Sequence, residues 1–284
     1  MERGESLNSG QGGVGAVRLE SWHGVAREKW RRTWGLPYLE TYASIGSTNS
    51  RLLALAGRGA PPGSVVIADE QTAGRGRRGR RWHSPPGAGI SFSALVETVV
   101  GATTLPLLAG IAAARAIEAV AEGVGSVGLK WPNDLFLGGR KVGGILCEVV
   151  PGAFDPALVA VGVGINLRRP TAGFPSEIET TATTVEEVRG GMGRVRVDEP
   201  VVVEALVSEL RTLVGFAGTE LPEALHREIA GIDILRGCEV ETEALGGCWA
   251  VGISKQGSLE VELADGQRRL VAGGSVHAVS GGDR

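Results

Sequence analysis

Apolar positions along the chain change period several times, and each change marks a predicted element. Leu19, Trp22, Val25, Ala26, Trp30 and Trp34 fall loosely at helical spacing with Arg27, Lys29, Arg31 and Arg32 between them, which predicts a short amphipathic helix. Residues 50–56 read as a helix with Asn49 as its N-cap, and residues 64–68 as an apolar, β-branched strand. After an arginine-rich loop, residues 90–96 read as a strand, residues 105–121 as a long alanine-rich helix, and residues 127–131 as another strand before Pro132, Asn133 and Asp134 turn the chain. Residues 141–150 and 158–166 form a predicted hairpin across a turn containing Pro151 and Gly152. Val203, Leu206, Leu210 and Leu213 return to the helical period, placing helices near residues 200–213 and 222–229.

From Arg236 the pattern shortens to four β-like pieces separated by Gly247, Gly257, Gly266 and Gly273, which predicts a small barrel. About 45 residues are marginal for an independent fold, so the barrel is expected to pack on the main domain. The overall class is therefore α+β, a mixed sheet flanked by helices with a small C-terminal β-barrel. Residues 36–234 form the expected main domain and residues 235–284 the barrel. Residues 1 to about 15 lack any apolar period and read as disordered, within a flexible extension that runs to residue 35. The 43% hydrophobic content suffices for a sizeable core, and forty-five glycines argue for many turns rather than a helical bundle.

The net charge of -3 argues against a protein that coats nucleic acid. Its one concentrated exception is Arg75, Arg77, Arg78, Arg80 and Arg81, with no acidic residue among them, where a small polyanion could dock. Cys147, Cys238 and Cys248 are odd in number and widely spaced, which speaks against a disulfide framework or a zinc site. No apolar run approaches the roughly 20 residues of a membrane span and no signal-peptide pattern opens the chain, so a cytoplasmic protein without membrane partners is expected. The segment before residue 36 is too short for a helix-turn-helix with a supporting core, so no DNA partner is expected.

Two segments carry candidate chemistry. In Gly74-Arg75-Gly76-Arg77-Arg78-Gly79-Arg80, glycines allow close wrapping of a ligand and guanidinium groups match phosphate oxygens two at a time. A solvated RGG-like loop or a nucleic-acid patch fits that loop equally well when it is taken alone. In Lys130-Trp131-Pro132-Asn133-Asp134, a strand-end lysine can reach a carboxylate or phosphate, although a lysine on a solvent face would read the same. The glycines of residues 141–148 and 162–166 suit close backbone approach to a ligand, with β-bulges as the plain alternative.

Ser47-Thr48-Asn49, Gln71, residues 74–80 with Trp82, residues 130–134, residues 143–148 and Gly164-Ile165-Asn166 occur in the order found in biotin protein ligases. Over roughly residues 40–280 the chain resembles that family. The resemblance implies a catalytic domain of the class II synthetase type, shared with lipoate ligases, followed by an SH3-like barrel. It also implies a two-step reaction. Biotin and ATP with Mg²⁺ give biotinyl-5'-adenylate, and a lysine of a biotin carboxyl carrier protein then displaces AMP.

Carried over by motif, Ser47, Thr48, Asn49, Gln71, Gly74, Arg75, Gly76, Arg77, Lys130 and Gly143 would line the biotin site. Arg77, Arg78, Arg80, Trp82, Lys130, Asn133 and Asn166 would meet the nucleotide, and Lys130, Arg77 and Arg80 would be catalytic; no metal ligand is assigned. Ser47 and Thr48 also suit helix capping, and Trp82 suits either adenine stacking or a core.

The residue types fit this chemistry on their own account. An ionised carboxylate needs no general base, so the requirement is cations that let two anions meet, and Lys130 is expected to be the costliest single loss. The Arg loop, residues 71–81, is expected to be mobile until it orders around the adenylate. Some family members carry an arginine in the last barrel strand; residues 274–279 have none, which puts a barrel contact to ATP in doubt. His23, His83, His226 and His277 read as surface or packing residues. A lipoate or octanoate ligase, and a biotin-responsive repressor, are the alternative readings.

Overall fold

Val65–Ala68 carries no polar side chain and is buried throughout, the environment of a central strand. It is β5 of a mixed eight-stranded sheet in the computed structural model, which describes residues 15–99, 101–120, 125–154, 156–189, 197–215 and 220–283. Across the sheet the order is β1 (Val17–Leu19), β4 (Leu39–Ser44), β5, β6 (Gly89–Thr98), β10 (Ala157–Asn166), β9 (Arg140–Phe154), β8 (Asp134–Leu137) and β7 (Gly128–Lys130). β4 and β5 are parallel, joined by the crossover helix α2 (Thr48–Ala56), and every other neighbour pair is antiparallel.

Helices cover both faces. α2 buries Leu52 and Leu55 against Tyr42, Val66, Leu95 and Ala160 on one side. On the other, α3 (Leu105–Val120) lies between the sheet and α5 (Glu199–Val214), and its leucines, isoleucines and alanines are buried almost all round. That is why α3 reads as uniformly apolar rather than amphipathic. α4 (Val185–Arg189) and α6 (Glu223–Ile232) complete the helices.

The segment before residue 36 departs from its expected form. The expectation of disorder for residues 1 to about 15 falls largely outside the described residues, but a flexible extension through residue 35 is corrected. β1 pairs with β4, β2 (Ser21–Trp22) and β3 (Val25–Ala26) form a ribbon, and only α1 (Arg27–Thr33) is helical. Trp22 and Trp34 are core residues and Trp30 stacks on Trp34, so the tryptophans bury a local cluster instead of one face of a long helix. Trp22 also donates to Asp69 Oδ1 at 2.8 Å. Arg18 of β1 meets Glu40, which is fully buried and satisfied by a two-pronged Arg51 and by the hydroxyls of Tyr38 and Tyr42.

Two further differences are local. The N-cap of α2 is Ser47, whose Oγ accepts from Ser50 N at 3.4 Å, while Asn49 lies inside the helix with a buried side chain. The β9–β10 hairpin extends past Pro151 and Gly152, which sit within β9 where the register shifts.

The barrel is a five-stranded antiparallel sheet in the order β14 (Arg268–Val271), β13 (Leu259–Glu262), β12 (Gly246–Ile253), β11 (Cys238–Thr242) and β15 (Val276–Asp283). Its core is continuous with that of the large domain. Trp131 Nε1 donates to Gly257 O at 2.9 Å, and Gly257, at φ +79, comes so close to Thr103 that a Cβ would stand 2.8 Å from its backbone.

The link between the two units contains a buried carboxyl group. Asp233 follows α6, its Oδ1 accepts from Leu235 N at 3.0 Å, and its Oδ2 is buried with no hydrogen-bond partner among the described residues. Burial pushes its carboxyl up to about 6. Because the folded value lies above the unfolded one, stability is greatest below about pH 4 for this group and falls as pH rises through about 6, by on the order of 3 kcal/mol. Denaturant titrations from pH 4 to 7 are expected to show this slope in the wild type and not in Asp233→Asn; equal slopes would contradict it.

Candidate active site

Alternate residues of one strand give the site its axis. Gly162, Gly164 and Asn166 of β10 all face the same cavity, spanning roughly 13 Å at strand rise. β9 runs beside it, with Leu146 opposite Gly162 and Gly144 opposite Gly164.

At the Gly162 end the polar groups of α2 are organised by neighbouring elements. A Cβ on Gly162 would stand 2.5 Å from Asn49 Oδ1, so only glycine admits that side chain. Asn49 Nδ2 donates to Leu146 O at 3.1 Å and to Glu148 Oε2 at 2.9 Å, and its Oδ1 accepts from Ser93 Oγ at 2.6 Å. Thr48 donates its backbone N–H to Gln71 Oε1 at 2.9 Å, and its Oγ1 lies 2.8 Å from Ser93 Oγ. The result is a largely buried, pre-positioned hydrogen-bonding end, where the one carboxylate that Asn49 meets, Glu148, is offset by Arg75.

The Arg loop folds back on itself. Gly76 N donates to Arg80 O and Trp82 N to Gly74 O, which makes residues 74–82 a narrow hairpin rather than an open loop. Gly74 permits this: a Cβ there would stand 2.5 Å from Trp82 O. Arg75 pairs with Glu148 at 2.7 Å, Arg77 donates to Asn133 Oδ1 at 3.2 Å, and Arg80 donates to Ser275 Oγ at 3.3 Å. Burial draws Arg77 below the usual guanidinium range.

The middle of the axis is built on two glycines. A Cβ on Gly164 would stand 2.5 to 2.7 Å from three atoms of the Trp82 ring, so that ring lies directly on the strand. Above Gly144, Asp134 Oδ1, Lys141 Cε and Trp82 Cζ3 all converge at 3.6 Å from the position of a Cβ. Lys141 Nζ donates to Asp134 Oδ1 at 2.6 Å and lies 5.8 Å from the centre of the Trp82 ring. Lys130 stands at the same level across the sheet, opposite Asp134 on the edge strand β7 and 5.7 Å from the Phe136 ring, and burial lowers its ammonium below the usual lysine range. The turn between Lys130 and Asp134, with a cis Trp131–Pro132 bond, is held by Asn133, which donates Nδ2 to Ile145 O at 2.8 Å. At the far end Asn166 Nδ2 donates to Thr183 O at 3.2 Å, beside Phe174, Ile178 and Thr181.

These residues enclose about 570 Å³. Arg75, Arg77, Arg78, Arg80, Arg81, Arg140, Lys130 and Lys141 line it, and Asp134 is the one carboxylate among the described lining residues. In a chain of net charge -3, such local excess favours an anion at short range far more than any surface charge would.

Of the residues singled out from sequence, Ser47, Thr48, Asn49, Gln71, Arg75, Gly76, Arg77, Arg78, Arg80, Trp82, Lys130, Asn133 and Asn166 all line this cavity. Gly74 and Gly143 do not. Gly74 shapes the hairpin, and Gly143 lets β9 approach Gly164 O, which a Cβ would meet at 2.8 Å; Gly144 is the neighbour that faces the cavity. Sequence reasoning passed over Lys141, Asp134 and Arg140, and the paired cations Arg140 and Lys141 opening a glycine-bearing strand were the available signal. Two of the histidines set aside as packing residues, His83 and His277, also line the cavity, and Gly274, Ser275 and Val276 bring the barrel to its rim.

Residues 42–166 match the family model described as the biotin/lipoate A/B protein ligase family. The biotin--[acetyl-CoA-carboxylase] ligase of Mycobacterium tuberculosis is 34% identical over 257 residues, covering 88% of this chain and 89% of that protein. The bifunctional ligase/repressor BirA of Bacillus spizizenii is 31% identical, covering 80% of this chain and 70% of its own length. A solved structure of the biotin protein ligase from Aquifex aeolicus in complex with biotin and ATP superposes with a TM-score of 0.70 at 28% identity, covering 86% of this chain and all of that one. Fold, cavity and relatives agree: this chain belongs to the biotin protein ligases.

Proposed function

We propose that this ligase activates biotin as biotinyl-5'-adenylate and passes it to one lysine of the biotin carboxyl carrier protein of acetyl-CoA carboxylase or a similar carboxylase. The observation that carries the reading is the polarity of the cavity along β10. A hydrogen-bonding end at Gly162 suits an uncharged ureido ring, and a cationic middle at Gly164 suits a carboxylate meeting a triphosphate.

In the first step a biotin carboxylate oxygen attacks the α-phosphorus and the bond to pyrophosphate breaks; no proton moves, so no general base is required. The chain's task is to hold two anions together. Ser47, Thr48 and Gln71 hold the ring, with Ser93 tying Thr48 to Asn49 behind them. Lys141, central and anchored by Asp134, bridges carboxylate and α-phosphate, while Lys130 and Arg80 attract the departing pyrophosphate. Arg77 and Asn133 position the ribose and phosphate, and Asn166 serves the base end. Trp82 lies over Gly164 and Gly144 and walls the reacting centre, which leaves adenine to the end near Phe174 and Thr181.

In the second step the carrier amine attacks the carbonyl carbon and gives up a proton to solvent, the C–O bond to the phosphate breaks, and AMP leaves with the oxygen that biotin's carboxylate supplied. Mg²⁺ fits this donor set only lightly, because no cluster of three metal-ligating side chains occurs among the described residues and Asp134 is the one carboxylate at hand. An ion carried on the triphosphate, touching at most Asp134, would supply charge neutralisation. No helix among the described residues is long and apolar enough to cross a membrane.

The test is direct. Purified protein with ATP, Mg²⁺, an apo carrier domain and biotin, lipoate or octanoate in turn is expected to add one biotin to that domain, read by intact mass, and to add neither lipoate nor octanoate; lipoyl transfer in place of biotin would overturn the reading. Ligand-dependent closure has its own readout. Trypsin cleavage after Arg75, Arg77, Arg78, Arg80 and Arg81 is expected to slow when biotin and ATP are both added, and unchanged cleavage would count against closure.

A further inference from the structure

The tip of the arginine hairpin is held from outside by the barrel. Arg78 is one of the two non-glycine residues with positive φ among those described, at φ 60 and ψ 34, a conformation that needs support from its surroundings. That support is Glu243, which follows β11. Both guanidinium nitrogens of Arg78 reach its carboxylate, Nη2 to Oε1 at 2.8 Å and Nη1 to Oε2. Such a fork-to-fork pair fixes direction as well as distance.

Glu243 is itself tied to the second barrel turn. Its N–H donates to Ser275 O at 3.3 Å and its Oε2 accepts from Ser275 N at 3.4 Å. Ser275 Oγ in turn accepts from Arg80 Nη2 at 3.3 Å. The Arg78 side chain is thereby committed to the barrel, and two barrel turns grip two successive arginines of the hairpin that roofs the cavity. Residues 274–277, from that turn into the start of β15, line the cavity rim.

We propose that Glu243 is a positioning residue which, through Arg78 and Ser275, clasps the arginine hairpin over the nucleotide, so that the barrel sets how tightly the activated acid is retained. The proposal rests on the reading of the cavity as an adenylate site. It supplies a route from barrel to nucleotide although the last strand carries no arginine in residues 276–279. Both partners are half exposed, so the pair adds little to global stability, and its effect is on the fraction of time the hairpin is closed.

Glu243→Gln tests this, since it keeps size and shape, leaves every arginine in place and removes the charge. Without ligand, trypsin is expected to cut the hairpin of the variant faster than that of the wild type. Chemically made biotinyl-5'-adenylate is expected to leave the variant about fivefold faster, with the KM for ATP raised by a similar factor and kcat changed less. Glu243→Asp, which keeps the charge, is expected to release the adenylate more slowly than Glu243→Gln. Faster cleavage with unchanged adenylate release, or unchanged cleavage, overturns the clasp. Wild-type protein that retains no adenylate would instead overturn the adenylate-site reading, and the clasp with it.

Discussion

Lys141→Ala is expected to form biotinyl-5'-adenylate roughly a hundredfold to a thousandfold more slowly than the wild type, the usual cost of removing one pre-positioned donor from a developing charge. Pyrophosphate release in a single turnover measures it. The loss falls on Lys141 because the structure spends three elements on placing that amine: Asp134 anchors it at 2.6 Å, Trp82 flanks it, and Gly144 clears the space beneath. Lys130, half-buried beside Phe136, serves the same field from the edge strand β7, and Lys130→Ala is expected to cost less than Lys141→Ala. A Lys130 variant slower than the Lys141 variant would reverse these roles.

Gly164→Ala is expected to cut adenylate formation about a hundredfold through a residue that bears no functional group. The added methyl would meet Cε2, Cζ2 and Nε1 of Trp82 at 2.5 to 2.7 Å, so the ring must leave the strand and Lys141 loses its flank. β10 is paired on both sides at this position, with Ser91 and Gly144, so the strand stays while the ring moves. A double variant separates this clash from general damage. Adding Gly164→Ala to Trp82→Ala is expected to cost little more, because the atom it would strike is gone. Full additivity of the two losses would show that Gly164 matters for another reason.

The parts of this molecule that were legible in the sequence are those whose pattern is local. α5 and the barrel strands announce themselves by period and by the glycines between them, and α3 by a long alanine-rich run. β4 did not, because its buried Glu40 and Thr41 break the apolar run, and what makes Glu40 tolerable there comes from Arg51, Tyr38 and Tyr42. Three tryptophans spaced like a helix face instead fold into a ribbon and a short helix, since their spacing is equally satisfied by a compact cluster.

The same division runs through the site. The arginine hairpin and the Lys130 turn are contiguous and stood out at once. Lys141 gains its importance from Asp134 on one strand and Trp82 at the hairpin's end, and Glu243 from an arginine that lies far from it along the chain. Pairings of that kind are set by sheet order, which a single sequence does not display. Gly143 shows the limit from the other direction: its segment reaches the cavity, but strand alternation turns Gly144 and not Gly143 toward it.

The central claim is that the cationic middle of the cavity joins a carboxylate oxygen to the α-phosphorus of ATP. Biotin labelled with heavy oxygen in its carboxylate tests it in one reaction with ATP, Mg²⁺ and an apo carrier domain. The account predicts one heavy oxygen in each AMP released and the other in the amide of the biotinylated carrier. Unlabelled AMP, or ADP as the nucleotide product, would contradict it.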